Sequence, residues 1–289
     1  MGEIIGVLAA VLSSLLGGVS VGVTRFVIGT TDPITVGAFR FGIGAALLLP
    51  LALRRRRLWP DAAALLPIAG LGFLFFAVFP ILFNASLIYT TAARGSLALS
   101  TLPVLTMVVG AVLRAEALTA RKLAGVCLAM AGVAVALLTN LGAAPAGAWR
   151  GDLLMVAAAF CMALYSVWSR PFAVTHGTIV YTALAMTFGA LVLIGLALAL
   201  GGFAATAAFG PMQWSTMAFL GVFGGALTFL LWSYALERTT PTRVAITVTV
   251  NPIAAGIFGM YALKEPLTMS LVLGLALVAA GIVTATSNR

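Results

Sequence analysis

Arg40 is the residue whose position most needs a chemical explanation, because it stands inside the apolar run Thr35–Leu49. If a helix begins at Pro33, seven residues at 1.5 Å each carry Arg40 roughly 10 Å past its start. At that depth a guanidinium is either a planar fork for a carboxylate or phosphate group, or an arginine that snorkels to the interface or pairs with Asp32. The spacing leaves both open. The other polar candidates are Asn251, with Thr247 and Thr249 beside it, Ser100 and Thr101, and Asn84. Pro80, Pro103 and Pro252 each remove one helical hydrogen bond, freeing the carbonyls of Phe76, Leu99 and Val248 and kinking the chain. Freed carbonyls, amides and hydroxyls together can hold a polar ligand away from water, or simply tie helices together. Phe76, Phe79, Tyr165, Trp168 and Trp232 are candidates for an aromatic lining to such a cavity, the competing role being helix packing.

Several chemistries are excluded. The single histidine, His176, has no metal-ligand spacing around it, and no phosphate-binding loop, HExxH or GxSxG motif occurs. No enzyme, cofactor or metal site is expected. No Asp or Glu falls deep in an apolar run, which removes the usual carboxylate relay of a cation-coupled pump. Neutral, zwitterionic or anionic solutes fit better than bulky cations.

Composition dictates where these residues must work. Of 289 residues, 62% are hydrophobic and 8% charged, with a mean hydropathy of +1.16. Soluble domains carry about 25% charged residues, so this chain belongs in a lipid bilayer. A net charge of +9 would elsewhere point to nucleic acid, but here the basic residues sit between apolar runs, where they orient a membrane chain. Cys127 and Cys161 lie inside apolar runs and read as small packing residues. The first apolar run lacks a basic leader and cleavage site and is expected to be a retained span.

A span needs about 20 apolar residues, and ten such runs are present. The first five are near Ile4–Val23, Pro33–Leu53, Ala62–Phe83, Gly95–Leu113 and Ala120–Leu138. The second five are near Leu153–Phe172, Thr178–Leu200, Ser215–Leu236, Val244–Leu263 and Met269–Thr286. The chain is also duplicated: Thr90-Thr91, Arg94, Pro103, Glu116, Thr119 and Gly132 recur as Thr239-Thr240, Arg243, Pro252, Glu265, Thr268 and Gly281. Every pair is 149 residues apart (239 less 90, 252 less 103). Matches of Thr-Thr, Arg, Pro and Glu in constant register are not products of apolar composition. The expected repeats are 2–140 and 150–288, joined by a linker over 141–149 rich in Gly, Ala and Pro.

Five spans per copy is an odd number, so the second copy starts from the opposite side and the halves are inverted. Inverted repeats around one central cavity are a transporter architecture. With the N-terminus inside, Arg54, Arg55, Arg56, Arg57, Arg114, Arg121, Lys122, Arg170, Arg238, Arg243 and Arg289 are internal. The outside receives Arg25, Arg40, Arg94, Arg150 and Lys264, so both termini are expected in the cytoplasm. Local caps agree with the span limits: Asp32-Pro33 opens the second span, and Thr119 and Thr268 open the fifth and tenth. Gly125, Ala129 and Gly132 form a small-residue stripe suited to close helix contact.

With Gly151-Asp152-Leu153-Leu154 opening the second copy, Arg40 early in the second span, and the Thr-Thr-x-x-Arg, Pro and Glu-x-Leu-Thr sets in both, the chain resembles the EamA-type branch of the drug/metabolite transporter superfamily along nearly its whole length. The resemblance implies an all-α bundle of ten spans with the fifth and tenth peripheral, in the inner membrane, exporting small metabolites or facilitating their efflux, with amino acids foremost. Aromatic or hydrophobic amino acids fit the aromatic lining. A non-transporting sensor or lipid-binding scaffold on the same bundle is the alternative. Partners are a small-molecule substrate and lipid, with no nucleic acid; monomer and homodimer are both compatible.

Overall fold

The computed structural model of the chain describes residues 2–90, 92–137, 147–254 and 269–286. Most of the expected linker, together with Lys264, Glu265 and Thr268, lies outside them. The described residues are helical with no strand, and six of their helices are long and apolar enough to cross a membrane. These are α1 (Gly2–Val27), α2 (Pro33–Leu53), α3 (Ala62–Tyr89), α7 (Ala148–His176), α8 (Thr178–Ala199) and α9 (Pro211–Arg238). Shorter pieces are α4 (Ala92–Leu99), α5 (Leu102–Val112) and α10 (Pro241–Ala245), with α6 (Ala120–Leu137) and α11 (Met269–Thr286) of intermediate length. Several helices run past the apolar limits read from sequence. For example, α7 begins at Ala148 and takes in Trp149, Arg150 and Asp152, because a helix need not end where the hydrocarbon does.

The caps form where side-chain chemistry requires. Asp32 accepts from the backbone N–H groups of Ile34 and Thr35 at the head of α2, and Thr119 accepts from Lys122 N at the head of α6. Between α7 and α8 the chain reverses in a single residue, Gly177, whose φ of 74° lies in a region that side chains rarely adopt.

The helices depart from α geometry at four places. A π-helical segment, Leu74–Val78, interrupts α3 just before Pro80, and a longer one, Leu220–Leu227, interrupts α9. Moved by 149 residues, the first falls within the second. The second lacks a proline but contains Gly221, Gly224 and Gly225. Likewise α4 and α5 are broken at Ser100-Thr101, directly before Pro103. A 3-10 turn, Ile246–Val250, follows α10, directly before Asn251-Pro252. Each of the three prolines therefore starts a helical segment just after an irregular turn, where its missing N–H does least harm.

Packing is reciprocal between the copies. Gly125 of α6 meets Gly281 and Ala285 of α11, while Gly132 meets Gly274 and Leu277. One number rises as the other falls, so α6 and α11 run antiparallel. The pair α2 and α8 behaves alike: Gly37 lies against Leu193, and Gly44 against Met186. In both cases the second contact is the first with the two copies exchanged. Outside, Ile4, Leu8, Leu66, Phe73, Val112, Leu153 and Leu198 are exposed, an apolar exterior suited to lipid.

A Cβ placed on Gly281 would lie 2.6 Å from Ala129 N and 2.7 Å from Gly125 O, so backbone would have to move. We expect Gly281→Val to destabilise the fold by about 1–3 kcal/mol, read as a lower melting temperature in detergent. Gly195→Val, where nothing lies within 4 Å, should leave the melting temperature unchanged.

Candidate functional site

Between the two halves lies a cavity of about 40 Å³, lined by fourteen residues of which Ser13, Arg40, Phe79, Met162, Trp232 and Asn251 represent six different helical segments. At about 10–15 Å³ per water centre, it has room for a few waters and no organic solute. At this size the cavity is closed to organic solutes, and loading it requires helices to separate. From α1 come Ser13, Ser14, Gly17 and Val21, spaced to share one face of the helix. Asn251 abuts that face at Gly17, whose added Cβ would lie 3.4 Å from Asn251 Nδ2. Ser14 Oγ lies 2.9 Å from Thr247 Oγ1.

Arg40 is buried at 5% exposure. Its Nε and Nη2 donate to the carbonyl of Gly224 at 3.0 and 2.7 Å, inside the π-helical segment of α9. Its guanidinium carbon also stands 5.5 Å from the Phe41 ring and 5.7 Å from the Phe229 ring. Among the described residues no carboxylate reaches it. It neither snorkels nor pairs with Asp32, which caps α2 instead. A buried cation served by one carbonyl and two ring faces is incompletely compensated. Gly224 and Gly225 make the arrangement possible, since a Cβ on Gly225 would sit 2.4 Å from Arg40 O. In the other half the sizes are exchanged: Gly189, the counterpart of Arg40, packs against Phe76, the counterpart of Gly225.

The remaining candidates separate into two groups. Phe79, Trp232 and Asn251 line the cavity with Arg40, and Thr247 stands behind Ser14. Trp232 Nε1 and Asn251 Oδ1 are buried without a hydrogen-bond partner. Phe76 and Tyr165 belong instead to a packed aromatic cluster, with Tyr165 stacked on Phe75 at 4.1 Å and Phe76 edge-on to Phe41 at 5.3 Å. Asn84 donates to Pro33 O at 2.8 Å and ties α3 to the head of α2. Ser100 donates to Ser96 O within its own helix. Trp168 is 45% exposed on the outside of α7, because its position on that helix turns it away from the bundle axis. Leu99 and Val248, singled out for their carbonyls, also line the cavity, as do Ser13, Gly17, Val21, Phe83, Met162, Thr228 and Phe229, which the sequence reading gave no binding role.

Polar contacts close the bundle at its ends. At one end Glu3 pairs with Arg243 and accepts from Thr239 Oγ1. There Glu116 accepts from Thr242 N at 3.1 Å and Thr242 Oγ1 at 2.8 Å, and pairs with Lys122. Burial pushes the Glu116 carboxyl up, but the Lys122 pairing and the Thr242 hydrogen bonds outweigh it and hold the pKa below its ordinary value. At the other end Thr90 Oγ1 lies 3.5 Å from Asp152 Oδ1, the counterpart of the Thr239–Glu3 contact with the two copies exchanged. Arg94 at that end has no described side chain.

The family model for the EamA-like transporter family matches the chain twice, over residues 4–138 and 149–287. An "Uncharacterized transporter" of Archaeoglobus fulgidus is 28% identical over 267 residues, 89% of each chain. A "Probable terminal-alkyne amino-acid exporter" of Streptantibioticus cattleyicolor is 27% identical over 243 residues, covering 83% of this chain and 77% of its own. A solved structure described as "Crystal structure of protein" superposes with a TM-score of 0.76 at 22% identity, over 98% of this chain and 96% of its own; this likeness concerns the fold.

If Arg40 is held for a ligand rather than for stability, Arg40→Met should not weaken the fold. Replacing an uncompensated buried charge with an apolar side chain of similar length is often neutral or stabilising. The expected melting temperature is equal to or above that of the parent. A fall equivalent to about 3 kcal/mol or more would make Arg40 a structural residue.

Proposed function

The chain belongs to the EamA-like transporter family, and from that premise we propose that it exports small metabolites, foremost amino acids, across the inner membrane by alternating access. It is a multi-pass membrane protein of a transporter family rather than an enzyme. The observation that carries the reading is a small cavity between the halves holding an arginine that no carboxylate of the described residues reaches. A substrate carboxylate supplies the missing charge.

Ten crossings in two inverted repeats, 2–140 and 150–288 with a linker over 141–149, are supported by how the loops sort. The N-terminal Glu3 touches Thr239 and Arg243, and Glu116 touches Thr242. His176 meets Leu58 O, and Thr178 meets Glu237. Those contacts gather the N-terminus and every second loop at one end. Arg25 with Leu87 O, Asn84 with Pro33 O, Thr90 with Asp152, and Phe39 with Phe203 gather the alternate loops at the other. The reciprocal antiparallel pairs α2–α8 and α6–α11 are the packing expected of two copies related by an axis in the membrane plane. The end bearing the exposed Arg54, Arg55, Arg56 and Arg57 is the cytoplasmic one by the positive-inside rule. The amino-acid reading draws on Arg40 and on the printed name of the Streptantibioticus relative.

Reconstituted in liposomes, the protein should carry radiolabelled amino acids, with Arg40→Gln reducing flux of solutes bearing a carboxylate by about tenfold or more. An intact protein that moves no amino acid or related metabolite would instead be a sensor or scaffold. For topology, single cysteines replacing Arg55 and Gly201, in a chain lacking Cys127 and Cys161, should react with impermeant reagents from opposite sides. Labelling from one side would refute the ten-span arrangement.

A further inference from the structure

The wall of the cavity is divided by chemistry, and the division follows the duplication. Arg40, Trp232, Asn251 and Ser13 face the cavity, yet their counterparts 149 residues away are Gly189, Phe83, Leu102 and Met162. Two of those counterparts, Phe83 and Met162, face the same cavity. One side, built from α1, α2, α9 and the segment after α10, therefore offers donors and acceptors, set among Val21, Phe229 and Val248. The opposite side, built from α3 and α7, offers Phe79, Phe83 and Met162. A solute filling this space must be polar at one pole and apolar at the other.

The polar side itself has two signs. Among the described residues Arg40 is a buried cation with no anion, and Trp232 Nε1 is a buried donor with no acceptor. Asn251 Oδ1 is a buried acceptor with no donor. Their separation can be read along α1. Asn251 abuts Gly17, whereas Gly224, whose carbonyl Arg40 holds, abuts Ser20, since a Cβ on Gly224 would lie 2.7 Å from Ser20 Oγ. Gly17 and Ser20 are one turn apart, about 4.5 Å along the helix. The carboxylate and ammonium of one α-amino acid, each reaching about 2.9 Å to a partner, span such a gap.

We propose that the cavity binds α-amino acids with apolar side chains in one orientation: carboxylate on Arg40 and Trp232 Nε1, ammonium on Asn251 Oδ1, side chain against Phe79, Phe83 and Met162. Asn251 is then the residue that separates amino acids from simple carboxylates. The proposal rests on the reading of this cavity as the transport site. A site built to pair a substrate N–H rejects analogues lacking it far more strongly than an apolar wall rejects a changed side chain.

The test is competition against radiolabelled leucine entering leucine-loaded proteoliposomes that contain the full chain. Unlabelled leucine should compete at least about tenfold better than 4-methylpentanoate, which lacks the ammonium. The same margin is expected over 3-methylbutylamine, which lacks the carboxylate, and over serine, which lacks the apolar side chain. Asn251→Leu should bring leucine and 4-methylpentanoate to within about threefold of each other. Asn251→Asp, a second variant should the first not fold, should improve competition by 3-methylbutylamine. Equal competition by leucine and 4-methylpentanoate in the parent protein would overturn the proposal, as would undiminished discrimination in Asn251→Leu. Flux of other solutes but not of leucine would overturn this orientation while leaving transport intact. Absence of flux for every solute class would overturn the transport reading, and the proposal with it.

Discussion

A helix inside a bilayer must satisfy its own backbone, because hydrocarbon supplies no substitute hydrogen bonds. This chain keeps that rule with other than α geometry at two pairs of equivalent places, the π-helical segments in α3 and α9 and the irregular turns before Pro103 and Pro252. In α9 side chains add to those backbone bonds. Arg40 takes the carbonyl of Gly224, Thr228 Oγ1 donates to Phe223 O at 2.6 Å, and Ser13 Oγ donates to Thr228 O at 2.7 Å. Those three side chains line the cavity. The irregular stretch of α9 and the cavity wall thus share these side chains.

The duplication supplies the frame, and departures from it supply the chemistry. Where the copies agree, in the Thr-Thr pairs, the glycines of α6 and α11, and Glu3 with Asp152, the residues set helix ends and close contacts. Where they disagree, one copy has kept an apolar residue and the other carries the polar group. The exchange of Arg40·Gly225 for Gly189·Phe76 is the clearest case, because volume is conserved across the interface while charge is not. A strictly symmetric pair of halves would place two arginines, or none, around one small cavity.

The sequence exposed much of this architecture for identifiable reasons. Apolar length, cap residues and constant register are local properties, so the apolar helices, the duplication, the Asp32 and Thr119 caps and the glycine stripe could be read directly. Arg40 could be read because a charge in an apolar run has few explanations. The direction of an aromatic side chain could not. An apolar helix such as α7 is hydrophobic around most of its circumference, so periodicity does not separate its lipid face from its bundle face. Trp168 and Tyr165 are three residues apart, yet one faces outward and the other packs in the aromatic cluster. Ser13 and Met162 were visible only as a mismatched pair at the repeat spacing, and that mismatch was the available signal for a lining residue.

The closed state has a further consequence. Cavity and end contacts share one helical stretch: Thr228 and Trp232 of α9 face the cavity, while Glu237 near its end accepts from Thr178 N. Thr239, one residue past α9, reaches Glu3, and the chain then turns into α10, whose Thr242 meets Glu116. A solute larger than a few waters cannot enter without moving that wall. The movement acts on contacts about two to three helical turns away along a single rigid segment. A substrate anion bound at Arg40, as proposed, would compete with the Gly224 carbonyl for the same guanidinium, which would make the π-helical segment of α9 the place where occupancy and helix geometry meet. Coupling of this kind requires no carboxylate deep in the membrane. It requires only that the ligand bind one arrangement of α9 more tightly than the other.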